Sequence, residues 1–309
     1  MVSQPRIDTT QTVECVEVRF DSGGTDCAAS LYRPAGAAGT VPCVVMGHGF
    51  SGTRDLGLPA YAERFATAGL AALVFDYRHF GTSGEQLRQL VDIAGQQADF
   101  QAAIRFARGC ADIDSDRIAL WGTSLGGGHV LAVAAADPRI AAVVSQVPFV
   151  GIELGRASPR STRTTLALFS AAVRDTFRGF LGRPPYLIPV VGAADAVAAF
   201  PDPTAAIVLG DLAETVPTWR NAVAARVLFP LLWYRPGAQA KHLRMPLLVC
   251  IAERDTAGSV RLAMAAARQA PRGELRRYAT GHWEVYRPPM IEQLASDQIR
   301  FLRTHLRLV

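Results

Sequence analysis

Two rhythms of apolar and polar positions divide the chain. Between Val13 and Phe20 they interleave, with Val13, Cys15 and Phe20 set against Glu14, Glu17 and Arg19. Ser22-Gly23-Gly24-Thr25 then turns, and Cys27 to Tyr32 runs back to stop at Pro34. This alternation around a glycine turn predicts a hairpin of half-exposed strands. Val41 to Met46 is different: it is apolar throughout, the pattern of a strand covered on both faces, and it ends at Gly47-His48-Gly49-Phe50. From there helical and strand-like stretches alternate. The pattern predicts a helix over Pro59–Ala68, a strand over Ala71–Phe75, a helix over Gln89–Arg108, a strand over Arg117–Trp121, a helix over Leu125–Ala136 and a strand over Ile140–Gln146. Such alternation predicts the α/β class, a mainly parallel sheet with helices on both faces.

The rhythm stops after Pro148 and resumes with the apolar run from Met245 to Ile251. Residues 149–243 therefore read as an inserted, largely helical cap, and residues 1–148 and 244–309 as the core domain. Within the insertion, Leu166, Phe169, Val173 and Phe177 recur at helical spacing over Arg163–Phe180. A proline-rich stretch from Pro184 to Pro203 follows, then helices around Ala213 and over Thr218–Leu228. The aromatics of this segment, among them Phe149, Phe169, Phe200, Trp219, Trp233 and Tyr234, either line an apolar pocket or pack the insertion onto the body. Beyond it come a strand (Pro246–Ala252), a helix (Ser259–Ala270), a strand (Glu274–Tyr278) and a terminal helix (Met290–Leu306).

Composition narrows the classes. Half of the 309 residues are hydrophobic, enough for a sizeable core. The net charge of +5 arises from 31 arginines and one lysine, Lys241, scattered without a basic run, so nucleic acid is not an expected partner. The five cysteines (Cys15, Cys27, Cys43, Cys110 and Cys250) lack C-x-x-C spacing and read as free thiols of a reducing compartment. Residues 1–6 lack the basic and apolar regions of a signal peptide, and no run of 18 apolar residues occurs, so a soluble cytoplasmic protein is expected. No nucleotide, flavin or metal motif is present, and neither a cofactor nor a metal is expected. A homo-oligomer stays open.

The candidate chemistry centres on Trp121-Gly122-Thr123-Ser124-Leu125-Gly126-Gly127-Gly128, a G-x-S-x-G pattern between a predicted strand and a predicted helix. In that context the pattern is a nucleophile elbow, a turn that aims a serine oxygen out of the top of a sheet. A serine hydroxyl needs a base to take its proton, and the base needs a carboxylate to fix its tautomer. Both should follow Ser124 in the chain, in loops after the carboxyl ends of strands. His282 satisfies this, directly after the last strand. His242 precedes a strand and His305 lies in the terminal helix. For the acid, Asp255 is preferred, with Glu253 as its rival in the same loop. Two backbone donors for an oxyanion are assigned to the N–H of Leu125 and of Phe50, with His48 beside Phe50 as a structural hydrogen-bonding residue.

Together these residues resemble the α/β-hydrolase superfamily over almost the entire chain outside the insertion. Asp76-Tyr77-Arg78-His79-Phe80-Gly81-Thr82-Ser83-Gly84 and the stretch from Ile118 to Gly127 are similar to its dienelactone-hydrolase-like and prolyl-peptidase-like branch. Dienelactone hydrolases use a cysteine nucleophile, whereas this chain has Ser124, which moves the expectation towards esters, thioesters or acyl-peptide bonds. The resemblance implies a cofactor-independent hydrolase that cleaves a carboxylic ester through an acyl-Ser124 intermediate. The substrate would be a small molecule with an apolar acyl or alkyl part. A thioesterase or a tailoring hydrolase or cyclase of secondary metabolism is the alternative within the same chemistry. A carbon–carbon bond hydrolase stays open, and a ligand-binding protein on the same scaffold is the non-enzyme alternative. Epoxide hydrolases and dehalogenases would need Asp in place of Ser124.

Overall fold

The computed structural model describes residues 13–84, 87–153 and 161–308. Ten strands and eight helices occur among them, in the order β1 (Val13–Ser22), β2 (Thr25–Pro34), β3 (Val41–Gly47), α1 (Pro59–Thr67), β4 (Ala71–Phe75), α2 (Ile93–Gly109), β5 (Ile113–Thr123), α3 (Leu125–Ala136), β6 (Ala142–Gln146), α4 (Thr162–Phe180), β7 (Leu187–Ile188), α5 (Pro203–Ala213), β8 (Val223–Ala224), α6 (Leu228–Trp233), β9 (Leu247–Ala252), α7 (Val260–Gln269), β10 (Gly273–Tyr278) and α8 (Met290–His305). Eight strands form one sheet, ordered β1-β2-β4-β3-β5-β6-β9-β10. The hairpin pairs antiparallel, β2 pairs antiparallel with β4, and every later pairing is parallel.

The apolar runs have a direct cause in this arrangement. Successive residues of a strand point to opposite faces. Cys43 and Val45 of β3 enter the core on one face, Val44 and Met46 that on the other. In β9, Leu247, Val249 and Ile251 face one way, Leu248, Cys250 and Ala252 the other. Helices α2, α3 and α7 cover the first face through residues such as Phe100, Val130 and Ala266. Helices α1 and α8 cover the second through Tyr61, Phe65, Leu294 and Phe301. Each fully buried side chain of this size contributes about 1.5–3 kcal/mol relative to exposure, so the interior strands can hold no polar face.

Several predicted boundaries move, the start of β5 at Ile113 rather than Arg117 among them, and partners distant in the chain explain two of the others. Helix α2 begins at Ile93 rather than Gln89. Gln89 has a left-handed backbone (φ 64°), and its N–H donates to the His79 carbonyl. Its side chain and carbonyl bond to Ala222 and Ala224 of the insertion. The helix expected over Thr218–Leu228 is not formed. Val223–Ala224 pair instead with Leu187–Ile188, a 3₁₀ turn follows over Ala225–Val227, and α-helix begins only at Leu228. Asn221 fixes this course by accepting from the N–H groups of Val190 and Val191. The helix expected around Ala213 ends there, having started at Pro203 behind an Asp202 cap.

The insertion leaves and rejoins the body at one place. Gly237 donates its N–H to the Val150 carbonyl (3.2 Å), and the Phe149 ring stacks on Tyr234. Tyr234 in turn bonds His129 of α3 (2.7 Å).

Candidate active site

The site is assembled at the carboxyl ends of β3, β5, β9 and β10. Between β5 and α3 the chain reverses on Ser124, whose φ of 55° and ψ of −118° lie outside the regions open to most L residues. Strain of this kind costs on the order of 1–3 kcal/mol and persists only where neighbours impose it. Here they do: the Ser124 N–H donates to the Gln146 carbonyl (2.9 Å), and the Ser124 carbonyl accepts from Phe149 (2.8 Å) and Gly128 (3.2 Å). Two glycines make the turn possible. A Cβ on Gly122 would run into the Gly126 carbonyl, and one on Gly126 into the His48 and Gly47 carbonyls.

The structure brings His282 and Asp255 to this serine. His282 Nε2 lies 3.1 Å from Ser124 Oγ, and its Nδ1 lies 2.8 Å from Asp255 Oδ2. The other carboxylate oxygen of Asp255 accepts from the N–H groups of Ala257 (2.8 Å) and Gly258 (2.6 Å). Burial disfavours the Asp255 anion, yet the His282 imidazole and those two N–H donors outweigh it and hold the carboxyl below its ordinary range. Glu253 points elsewhere, to Arg277 on β10 (2.8 Å). His305 lies beside Glu274 (3.4 Å), and His242 is exposed ahead of the amino end of β9, near Ala134 and Ala135 of α3.

Leu125 directly follows the serine, and Phe50 lines the same pocket as Ser124. A Cβ on Gly49 would come within 3.0 Å of Ser124 Cβ, so only glycine lets this loop approach so closely. Neither the Phe50 nor the Leu125 N–H is bonded to another described residue. His48 is buried, with Nδ1 2.9 Å from the Gly49 carbonyl and Nε2 3.5 Å from Tyr77 N. Burial pushes its pKa down to about 4, so the imidazole is neutral and braces the loop.

A narrow apolar pocket of about 40 Å³ opens beside Ser124. Phe50 and Trp283 line it from the body, and Phe200, Leu209, Leu212 and Trp219 from the insertion. Trp219 is tied down by donating Nε1–H to the Ser51 carbonyl (3.0 Å). Of the insertion's aromatics, Phe200 and Trp219 thus reach the pocket, whereas Phe169, Phe177, Phe180 and Trp233 are exposed.

Two neighbours of the site had no signal in the sequence. Asp202 caps α5 by accepting from Thr204 N, and its Oδ2 also accepts from Thr256 Oγ1 (2.7 Å) and Trp283 Nε1 (3.2 Å). It therefore joins the insertion to the residues directly after Asp255 and His282. Tyr286 lines the pocket and bonds Thr123 (2.7 Å). Among the described residues no cluster of three or more His, Cys, Asp or Glu could hold a metal ion, and no helix is long and apolar enough to cross a membrane.

A parallel sheet flanked by helices, with a strained serine at the strand-to-helix turn, defines the α/β-hydrolase class. Known proteins agree. Residues 23–158 match the X-Pro dipeptidyl-peptidase (S15 family). The crystal structure of the α/β hydrolase GrgF from a Penicillium species superposes with a TM-score of 0.79 at 21% identity, covering 96% of this chain and all of that one. The quorum-quenching protein AidA of Acinetobacter baumannii is 40% identical over 291 residues, 93% of this chain and 94% of AidA. Thiohydrolase apmlB of Arthrinium phaeospermum is 34% identical over 159 residues, about half of each chain. The chain belongs to the AidA family, and with it to the α/β-hydrolase superfamily of enzymes.

Proposed function

We propose that the protein is a serine hydrolase that cleaves a carboxylic ester through an acyl-enzyme. The observation that carries this reading is the continuous Ser124–His282–Asp255 hydrogen-bond chain. Ser124 Oγ attacks the ester carbonyl while His282 Nε2 takes its proton, and the negative charge formed on the carbonyl oxygen is met by the N–H groups of Phe50 and Leu125. Asp255 holds the Nδ1 proton of His282 and balances the imidazolium. Collapse of the tetrahedral intermediate expels the alcohol, protonated by His282. Water, deprotonated by the same imidazole, then releases the acid and restores Ser124. Residues 149–243 act as a cap whose Phe200, Leu209, Leu212 and Trp219 enclose an apolar acyl or alkyl part. The small free volume favours short acyl groups while the cap is closed.

Thioester cleavage is the second reading, favoured by the identity shared with a thiohydrolase over half the chain. In either case the substrate would be a small diffusible acyl compound, in keeping with the quorum-quenching name of the relative.

The test is hydrolysis of p-nitrophenyl esters from acetyl to decanoyl and of matched acyl thioesters, with Ser124→Ala beside the wild type. The expected result is ester turnover that falls with chain length and drops by about 10³-fold or more in Ser124→Ala. Turnover of thioesters alone would favour the second reading. Neither turnover nor fluorophosphonate labelling of Ser124 would sink the hydrolase proposal.

A further inference from the structure

Helix α4 is apolar on two sides. Its inner face buries Leu168, Ala171 and Ala172, and the helix packs on Ala225–Val227 within the insertion. Its outer face carries Leu166, Phe169, Val173, Phe177 and Phe180 in water, with Phe169 58%, Phe177 62% and Phe180 87% exposed. At 100° per residue these five fall in a stripe about 80° wide. The stripe continues onto α6, where Phe229 meets the Phe169 ring edge to face (5.8 Å) and Trp233, one turn on, is 77% exposed. At roughly 200 Å² for a fully exposed aromatic ring, the patch presents about 700–750 Å² of apolar side chain. Patches on soluble monomers seldom exceed about 600 Å², whereas a stable interface covers about 800 Å² on each partner.

We infer that this face is covered by a second copy of the chain, in a twofold dimer that pairs α4 with α4 antiparallel. The spacing of the stripe selects the occupant. Its steps of three, four, four and three residues read the same in both directions. An isologous interface needs this property, because residue i must meet j while j meets i. Val173 faces its own copy at the centre, Phe169 faces Phe177, and Leu166 faces Phe180. A recurrence of three and four residues is also the spacing by which apolar helix stripes interlock. The charges give the dimer a signature. Arg163, Arg174 and Arg178 lie to one side of the stripe, and the helix's single acid, Asp175, is buried on Arg226. Twofold antiparallel pairing brings the two arginine flanks to the same side, so salt that screens them tightens the dimer. An anionic lipid surface on this face would show the opposite salt dependence.

Light scattering after size exclusion at micromolar concentration is expected to give about twice the 33.1 kDa chain mass, with more dimer at high salt. Phe169→Asp with Phe177→Asp is expected to give the monomer mass with unchanged far-UV circular dichroism, since both side chains are exposed. Should that variant misfold, Val173→Cys in a Cys15→Ser background supplies the second measurement. A short bismaleimide is expected to link two chains through residue 173 in the otherwise native protein. A wild type that is monomeric throughout the micromolar range overturns the proposal. So does a dimer that survives the double substitution without a 173–173 link, or a monomer that co-sediments with phosphatidylserine vesicles at low salt. None of these readouts depends on what the active site hydrolyses.

Discussion

Asp255 and Glu253 stand two residues apart in one loop, and their fates show what separates a carboxylate held on a histidine from one at the surface. In sequence both follow the same apolar run, and nothing local ranks them decisively. In the structure, Arg277 of the neighbouring strand takes Glu253 (2.8 Å), while Ala257 and Gly258 turn their N–H groups onto Asp255 and aim its second oxygen at His282. Asp255→Asn should keep the fold but present the wrong partner to His282 Nδ1, lowering kcat on the order of 10⁴-fold. Glu253→Gln should leave kcat within about twofold of the wild type, since it removes only an exposed ion pair. Steady-state ester kinetics on the two variants check this, and equal losses would refute the assignment. Ser124 and His282, by contrast, were legible from the sequence, because the glycines that permit the elbow and the strand before each loop are local features. Tyr286 was not, because its bond to Thr123 spans 163 positions of the chain.

The elements tell the same story at longer range. The sheet strands could be read because burial on both faces writes a continuous apolar run. The helix expected over Thr218–Leu228 failed because its backbone groups find better partners elsewhere, in Leu187–Ile188, Gln89 and Tyr186. Helix α5 depends on Asp202, which serves two tasks: it caps the helix and bridges Thr256 to Trp283. Asp202→Ala should lower stability by about 0.5–2 kcal/mol through the lost cap. It should also lower kcat several-fold more than it raises KM, because both triad loops lose a shared anchor. Asp202→Asn keeps one oxygen for the cap but turns its NH2 towards Trp283 Nε1–H, so it should restore most of the stability and little of kcat. If Asp202→Ala shifts only the melting temperature, the bridge has no bearing on the triad loops.

For the whole molecule, buried ionisable groups set the response to acid. Burial holds His48 and His129 neutral, with pKa values lowered to about 4 and about 3. The unfolded chain binds their protons from about pH 6.5 downwards and the native state does not, so stability falls as pH drops from about 6.5 to 4. Asp76 opposes this. Burial raises its pKa to about 6, so the native state takes up a proton that the unfolded state binds only near its ordinary value. With two histidines against one carboxyl, the melting temperature should decline through this window. His129→Gln, which can still bond Tyr234, should flatten the decline. An unchanged slope in that variant would remove His129 from the account.

The meeting of Val150 with Gly237 carries a consequence for how such an enzyme can change. Because the insertion departs and returns through one hydrogen-bonded doorway, it adds no strand to the eight-stranded sheet and interrupts none of its pairings. A different loop of similar end-to-end span could be grafted there without disturbing strand order or register. The doorway also rests on Tyr234 and His129, one helical turn beyond Ser124. The body can therefore act as an interchangeable chassis: variation in the graft would retune which molecules are admitted, provided that it keeps an anchor such as Asp202 for the loops after β9 and β10.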